Sequence, residues 1–365
     1  MIKVMHIGKY LPPSKGGMES SILHICRSLS TAGLDITLVG TAEPGMGVRH
    51  EENFKVLTLK TWWTWASTPF VSGLSKLIKD EKPDLIHLHL PNPWISLLLS
   101  WTTIPIVATY HCDIVSFHLL KKLYNPILHF FLNRCIKIIA TSPQLASSSE
   151  VLKNYQKKLS IISLSVPPLD FKNENLGLTE KLNKISKNII LFVGRLVSYK
   201  GLPFLIEAMK NTDGHLLIVG EGGKKESLIR IAQEFGVSSK ITFVGSVSDK
   251  NLPSYYKAAK LIVLPSINQG EALGICLIEG LSIGRPLVTT ELLTGVSYVN
   301  QNEITGLIVP PKDSVALATA IQRVLNSPAE QDRFSANAQI RYQEVFDLKK
   351  ICEQHQKLYQ EVLSL

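Results

Sequence analysis

The sequence predicts an α/β protein of two consecutive domains, each a parallel sheet covered on both faces by helices. Three observations predict it. The chain has 365 residues, and a single core rarely grows past roughly 250–300 residues. Short, continuously apolar, β-branched runs alternate with helical stretches along nearly the whole chain, as strands buried on both faces require. The alternation weakens once, from Val166 to Lys187, where Pro167-Pro168 and an Asn- and Lys-rich stretch read as an interdomain linker. The expected division is therefore 1–165, linker 166–187, 188–345 and a final helix within 346–365.

In the first half the expected strands are Lys3–Ile7, Asp35–Val39, Phe54–Leu59, Leu85–Leu88, Ile104–Thr109 and Ile136–Thr141. Helices are expected at Met18–Ala32 and Phe70–Asp80. The second series of strands is Asn188–Val193, His215–Val219, Ile241–Val244, Leu261–Leu264, Pro286–Thr289 and Gly306–Val309. Helices between them include Leu202–Met209, Lys225–Phe235 and Ile275–Leu281. Ligands of open parallel sheets bind beyond the carboxyl ends of the strands. Two such sheets facing one another would place the site in an interdomain cleft.

Composition narrows the class. A chain that is 45% hydrophobic and 19% charged is not disordered. Its five cysteines are scattered and form no CxxC pair, so neither a disulfide framework nor a zinc site is expected, and a reducing interior fits. Met1 leads directly into a first strand, with no signal-peptide pattern. The apolar stretches Trp94–Tyr110 and Leu119–Ala140 are interrupted by polar or charged residues and fall short of the roughly 20 apolar residues a membrane span needs. The expected location is cytoplasmic. Of the net charge of +9, residues 1–165 carry 17 basic and 10 acidic residues, hence +7. That half suits an anionic membrane surface or a phosphorylated substrate better than nucleic acid, for which no binding signature appears.

Gly8 to Glu19 follows the first strand and opens a helix. It is neither GxGxxG nor a Walker A loop. It offers Gly16-Gly17 at a helix N-terminus, where free amides and the dipole favour an anion, although an ordinary turn and cap explains the pair as well.

The second half carries the stronger pattern, at the ends of three strands. Gly194-Arg195 and Lys200-Gly201 place two cations on one loop, able to converge on a diphosphate. Gly220-Glu221-Gly-Gly223 forms a turn that lets a ligand approach the backbone. Glu271 precedes a helix beginning near Gly274, and Glu279 lies within it. Amides of Ala272, Leu273 and Gly274 suit phosphate, and the two carboxylates suit sugar hydroxyls. Two glutamates eight apart usually mark a solvated helix face. Here Glu279 falls inside the apolar run Ile275–Ile283, where an unpaired charge is costly. Together these features describe a nucleotide-sugar site.

These residues resemble the family-4 retaining glycosyltransferases with the GT-B fold. The resemblance rests on the Gly-Gly loop, GR-x4-KG, VGEG, E-x7-E and Gly284-Arg-Pro, and covers nearly the whole chain. It implies two facing Rossmann-like domains, with the nucleotide-sugar held mainly by the second. A C-terminal helix near Leu348–Leu363 would return to the first. By position, Arg195 and Lys200 would grip the donor diphosphate, Glu279 the ribose hydroxyls and Glu271 the donor sugar. Gly16 and Gly17 would reach the phosphates from the opposite side, and His111 would lie near the transferred sugar. The chain departs from the family with Leu273 in place of Phe and with Glu279-Gly-Leu-Ser282 in place of Glu-Ala-Met-Ala.

The reaction so implied transfers a sugar with its anomeric configuration kept, and it needs no metal cofactor because the cations and helix N-termini supply the positive charge. Three of the five tryptophans, Trp62, Trp63 and Trp65, crowd one short loop. Further along, the segment around Lys121 and Lys122 mixes apolar and basic residues, as a helix that is either buried or membrane-facing. Both features favour a lipid-linked saccharide acceptor at the inner face of the cytoplasmic membrane. The segments Leu88–Pro93, Thr109–Val115 and Thr294–Asn300 look most like bacterial O-antigen and exopolysaccharide mannosyl- or rhamnosyltransferases. That points to GDP-mannose or a related GDP-sugar, with a UDP-sugar as the alternative. A GT-B-fold UDP-N-acetylglucosamine 2-epimerase would share the architecture but need no acceptor. A nicotinamide dehydrogenase would need a glycine fingerprint that neither half supplies.

Overall fold

A computed structural model describes residues 1–11, 16–41, 49–51, 53–65, 68–114, 118–171 and 175–365, with the backbone alone at 49–50 and 118–121. The chain divides into two units, Met1–Val166 with Asp347–Leu365, and Pro167–Phe346.

In the first unit the strands are β1 (Lys3–Tyr10), β2 (Asp35–Thr41), β3 (Arg49–Glu51), β4 (Phe54–Thr58), a separate hairpin β5 (Lys60–Trp65) and β6 (Thr68–Ser72), then β7 (Leu85–Leu90), β8 (Ile106–Tyr110), β9 (Lys137–Ala140) and β10 (Leu159–Ile161). The main sheet runs β10-β9-β8-β7-β1-β2-β4-β3. All its pairs are parallel except β3 with β4. The chain builds outward from β1 in one direction and then in the other, so the strand order reverses between β1 and β7. Crevices at such switch points open at the carboxyl ends of the strands.

Helices cover this sheet for reasons visible in their spacing. Gly17–Thr31 buries Ile22, Ile25, Cys26 and Leu29, one stripe at helical period. The C-terminal helix Leu348–Leu363 packs against it and buries Ile351, Cys352, His355, Leu358, Tyr359 and Val362. Its first turn is capped by Asp347, whose carboxylate accepts from Lys350 N at 3.1 Å.

The second unit contains β11 (Ile189–Val193), β12 (His215–Val219), β13 (Ile241–Gly245), β14 (Leu261–Leu264), β15 (Leu287–Thr290) and β16 (Gly306–Val309). Their order is β13-β12-β11-β14-β15-β16, all parallel. Here the switch point lies between β11 and β14.

Four expectations need correction. Residues 166–187 are not simply a linker: Leu176–Ile185 is a helix capped by Asn175 that buries Thr179 and Leu182 and packs on helix Leu252–Ala258. The helix expected from Phe70 begins only at Leu74, because Gly73 takes φ +84° and Phe70 already belongs to β6. The tryptophan segment is not a loop but strand β5, paired antiparallel with β6, with a bulge between Thr61 and Trp63. The sheet of the first unit is not wholly parallel, since the short strand β3 runs against β4.

The segment around Lys121 and Lys122 is a helix, His118–Arg134, with two faces. Tyr124, Leu128, Phe131 and Leu132 are buried, whereas Lys122, Leu123 and Phe130 are exposed. Among the described residues, no helix is long and apolar enough to cross a membrane.

Candidate active site

In the second unit the sequence-selected residues assemble at the β11/β14 switch point. The loop after β11 brings Lys200, and the loop after β14 brings Ser266 and Glu271. Lys200 Nζ lies 2.5 Å from Glu271 Oε2, and Ser266 Oγ donates to the same oxygen at 2.9 Å. The Lys200 and Glu271 side chains are only 9% and 8% exposed, so this is a buried ion pair rather than a surface one. Burial, the largest single influence, would lower the Lys200 pKa, but Glu271, Cys276 and Tyr199 together outweigh it and the net shift is upward. Two groups expected to act separately, one on phosphate and one on sugar, thus hold one another in place. Glu271 Oε1 has no protein partner among the described residues.

The next residues open helix Ile275–Ser282, with Gly274 in the left-handed region at φ +80°. The amides of Ala272, Leu273 and Gly274 donate to no protein group among the described residues, leaving the helix N-terminus open to an anion. Glu279 sits on this helix. Its Oε2 accepts from Tyr256 Oη at 2.5 Å, and Tyr256 also donates to Cys276 O at 3.2 Å. Desolvation raises the Glu279 pKa to about 7, against a lowering by the Tyr256 hydrogen bond. Cys276 lies among these groups: burial pushes its thiol up to about 12, and Lys200, Glu271 and Glu279 all act on it. The four side chains therefore form one electrostatic neighbourhood.

The Tyr256→Phe substitution removes a hydrogen bond to the ionised form, so the Glu279 pKa is expected to rise above 7. A pH titration of the Glu279 carboxyl by NMR checks this. The sign for stability follows from the same shift. A carboxyl raised above its unfolded value contributes stability below pH 4.5 that is lost as pH climbs through 7. The Glu279→Gln variant should flatten that slope.

Arg195 is exposed at the mouth of the same loop, with its guanidinium 3.5 Å from Tyr199 Oη. Gly194, Gly201 and Gly220 have a structural duty. A Cβ on Gly220 would sit 2.1 Å from Gly194 O, and one on Gly201 would sit 1.9 Å from Pro265 O. The glycines let three strand-end loops cross at backbone contact. At Gly220 the close approach is to Gly194, whereas a Cβ on Gly223 would meet nothing within 4 Å. Glu221 pairs with Lys225 at 3.0 Å on the half-exposed outside.

The first unit holds the remaining candidates. Gly16 caps helix Gly17–Thr31, and a Cβ there would meet Glu19 Oε2 at 2.1 Å. The chain's own carboxylate already occupies this helix N-terminus, where the dipole favours it. Pro12 to Lys15 of the glycine loop lie outside the described residues.

His111 follows β8 and is 2% exposed. Burial lowers its pKa to about 3, so the ring is neutral. Its Nε2 lies 3.1 Å from His89 Nδ1, and its Nδ1 is buried without a partner among the described residues. Around it are residues the sequence reading missed: His6, His87, His89, His355 and Tyr359. The signal was present in Leu85-Ile-His-Leu-His-Leu90, where histidines two apart on a buried strand must share a face. Ring nitrogens of His6, His87 and His89 lie within 4.8 Å of one another. All six of those nitrogens are already hydrogen-bonded, and the His87 and His89 rings stack at 4.6 Å with 20° between planes. Lone pairs spent sideways in this manner do not converge on an ion.

Trp62, Trp63 and Trp65 on β5 are 75%, 60% and 50% exposed, and Trp63 stacks on Trp65 and Phe70. Lys122 is exposed as well, whereas the Lys121 side chain lies outside the described residues.

Comparisons with known proteins give the family and the fold. Residues 15–168 match the family "Glycosyltransferase Family 4", and residues 178–341 match "Glycosyl transferases group 1". The O-antigen chain mannosyltransferase C of Escherichia coli is 31% identical over 100% of this chain and 99% of its own. The D-rhamnosyltransferase WbpZ of Pseudomonas aeruginosa is 32% identical over 94% and 92%. Among solved structures, sucrose-phosphate synthase from Thermosynechococcus elongatus superposes with a TM-score of 0.84 at 23% identity, covering all of both chains. Anabaena HepE in complex with UDP superposes with a TM-score of 0.79 at 17% identity, covering 99% of this chain and 100% of its own. The fold is that of the GT-B enzymes, and with full-length identity above 30% the chain belongs to glycosyltransferase family 4.

Proposed function

We propose that this protein is a retaining, metal-independent glycosyltransferase that moves a hexose or deoxyhexose from a GDP-sugar to a lipid-linked saccharide. Its place is in bacterial surface polysaccharide synthesis of the O-antigen kind. The observation that carries the reading is the buried Lys200–Glu271 pair beside an open helix N-terminus at the β11/β14 switch point. Lys200, Arg195 and the amides of residues 272–274 take the diphosphate and stabilise it as it leaves. Glu271 Oε1 accepts hydroxyls of the donor sugar, and the Glu279 carboxyl hydrogen-bonds those of the ribose. His111 contacts the transferred sugar as a neutral ring. The acceptor proton passes to a donor phosphate oxygen, so no protein nucleophile forms. The sugar and acceptor chemistry follow the mannosyl- and rhamnosyltransferase relatives.

The test is a transfer assay with GDP-mannose and its deoxy analogues on a lipid-diphosphate saccharide in chelator. A product of retained configuration supports the reading. Donor turnover without acceptor would instead favour an epimerase, and turnover of UDP-sugars alone would discard the donor assignment.

The exposed tryptophan hairpin is read as the membrane contact. Aromatic side chains favour the water–lipid interface, and the net positive charge of the first half favours anionic lipid. Replacing Trp62, Trp63 and Trp65 with serine should abolish flotation with anionic vesicles. Undiminished flotation would remove the assignment.

A further inference from the structure

A hydrogen-bonded chain runs through the core of the first unit. Thr109 Oγ1 meets His87 Nε2 at 2.6 Å, and His87 Nδ1 meets Tyr359 Oη at 2.7 Å. Tyr359 Oη meets His6 Nε2 at 3.1 Å, His6 Nδ1 meets His89 Nε2 at 3.2 Å, and His89 Nδ1 meets His111 Nε2 at 3.1 Å. The chain ends at His111 Nδ1, which has no partner among the described residues. None of its six members is more than 3% exposed. Burial lowers the pKa of every ring, to about 3 for His6 and His111 and well below the usual value for His87 and His89. The rings are therefore neutral.

A neutral imidazole carries one N–H and one bare nitrogen, and its tautomer is fixed by the partners of both. His6, His87 and His89 spend both nitrogens within the chain, so each must donate at one and accept at the other. Tyr359 has a single proton to give. Both rings donating to Tyr359 Oη would strand its hydroxyl proton in the middle of the core, where nothing bound at either end could take it, so two arrangements remain that satisfy every link and also spend that proton. In one, all four rings carry the proton on Nε2 and the bonds run from His111 towards Thr109. In the other, all four carry it on Nδ1 and every bond reverses. Each leaves one polar hydrogen without an acceptor among the described residues, on Thr109 in the first and on His111 Nδ1 in the second. With the two ends matched in this way, a group placed at His111 Nδ1 decides between them.

We propose that Tyr359, His6 and His89 are positioning residues that set the tautomer of His111. In one state His111 offers a lone pair to a sugar hydroxyl. In the other it offers an N–H to an oxygen acceptor such as a phosphoryl oxygen. Neither state requires a charged ring in the core. The functional half of the inference rests on His111 contacting the transferred sugar, while the coupling itself does not. It also gives the C-terminal helix a role beyond packing, since Tyr359 lies three hydrogen bonds from His111.

The test is ¹⁵N NMR of histidine-labelled full-length protein, which reads the fraction of each ring protonated at Nε2. In the wild type, His6, His87, His89 and His111 should share one fraction. In Tyr359→Phe, His87 should depart from the others, while His6, His89 and His111 still agree. Unequal fractions in the wild type overturn the proposal even if the variant does not fold, and so does a His87 that still tracks the others in the variant. Kinetically, Tyr359→Phe should lower kcat for transfer about 3–10-fold with the donor KM kept. A raised KM at unchanged kcat would overturn the positioning role. Wild-type transfer by His111→Ala would remove the sugar contact and leave the tautomer coupling standing, so the two failures are distinguishable.

Discussion

Lys200→Ala is expected to destabilise the second unit by about 3–5 kcal/mol, because it leaves the Glu271 carboxylate buried without its cation. For a unit of this size that corresponds to a fall in Tm of about 10 °C. The Ser266 hydroxyl, at 2.9 Å, still donates to the stranded oxygen, but a neutral donor does not replace an ammonium at 2.5 Å. The double variant Lys200→Met/Glu271→Met should recover most of the loss, since two apolar groups replace a desolvated pair. It should be stable and inactive. Denaturant unfolding of the two single variants and the double variant measures the coupling. Additive effects would mean that the two side chains do not depend on one another.

Glu271→Gln addresses the chemistry more narrowly. The substitution keeps the shape and one acceptor oxygen but removes the charge, so hydroxyls of the donor sugar lose a charge-assisted partner. A bond of that kind contributes about 1.5–3 kcal/mol, so kcat/KM should fall by roughly 10- to 100-fold. If Glu271 orients the sugar as it reacts, the loss should fall mainly on kcat. Affinity for the bare nucleoside diphosphate, which has no sugar, should change less. A variant that loses nucleotide affinity and transfer equally would show that Glu271 acts only by holding Lys200.

The fold was legible because its strands are continuous apolar runs, each bounded by a glycine or a polar turn. Ile189–Val193 and His215–Val219 could hardly be anything but buried parallel strands. The tryptophan hairpin escaped because three large aromatics in six residues break the period-two pattern, and a bulge shifts the register beside Trp62. Helix Leu176–Ile185 escaped because its polar face outweighs its two buried residues. At the site, Arg195, Lys200 and Glu271 could be placed from sequence on the loops after β11 and β14, and Glu279 on the helix that follows. The pairing of Lys200 with Glu271 was not visible, since it depends on β11 and β14 being neighbours despite their separation along the chain. Tyr256 and the histidine chain were hidden for the same reason. His6 lies beside His87 only because β1 and β7 pair.

The most direct test of the account is calorimetric titration of the wild type and the Lys200→Met variant with GDP, UDP and ADP. The account predicts saturable binding of GDP by the wild type, in preference to UDP and ADP, and at least tenfold weaker binding by the variant. Binding of no nucleotide, or binding untouched by the loss of Lys200, would contradict the placement of the donor diphosphate at the β11/β14 switch point.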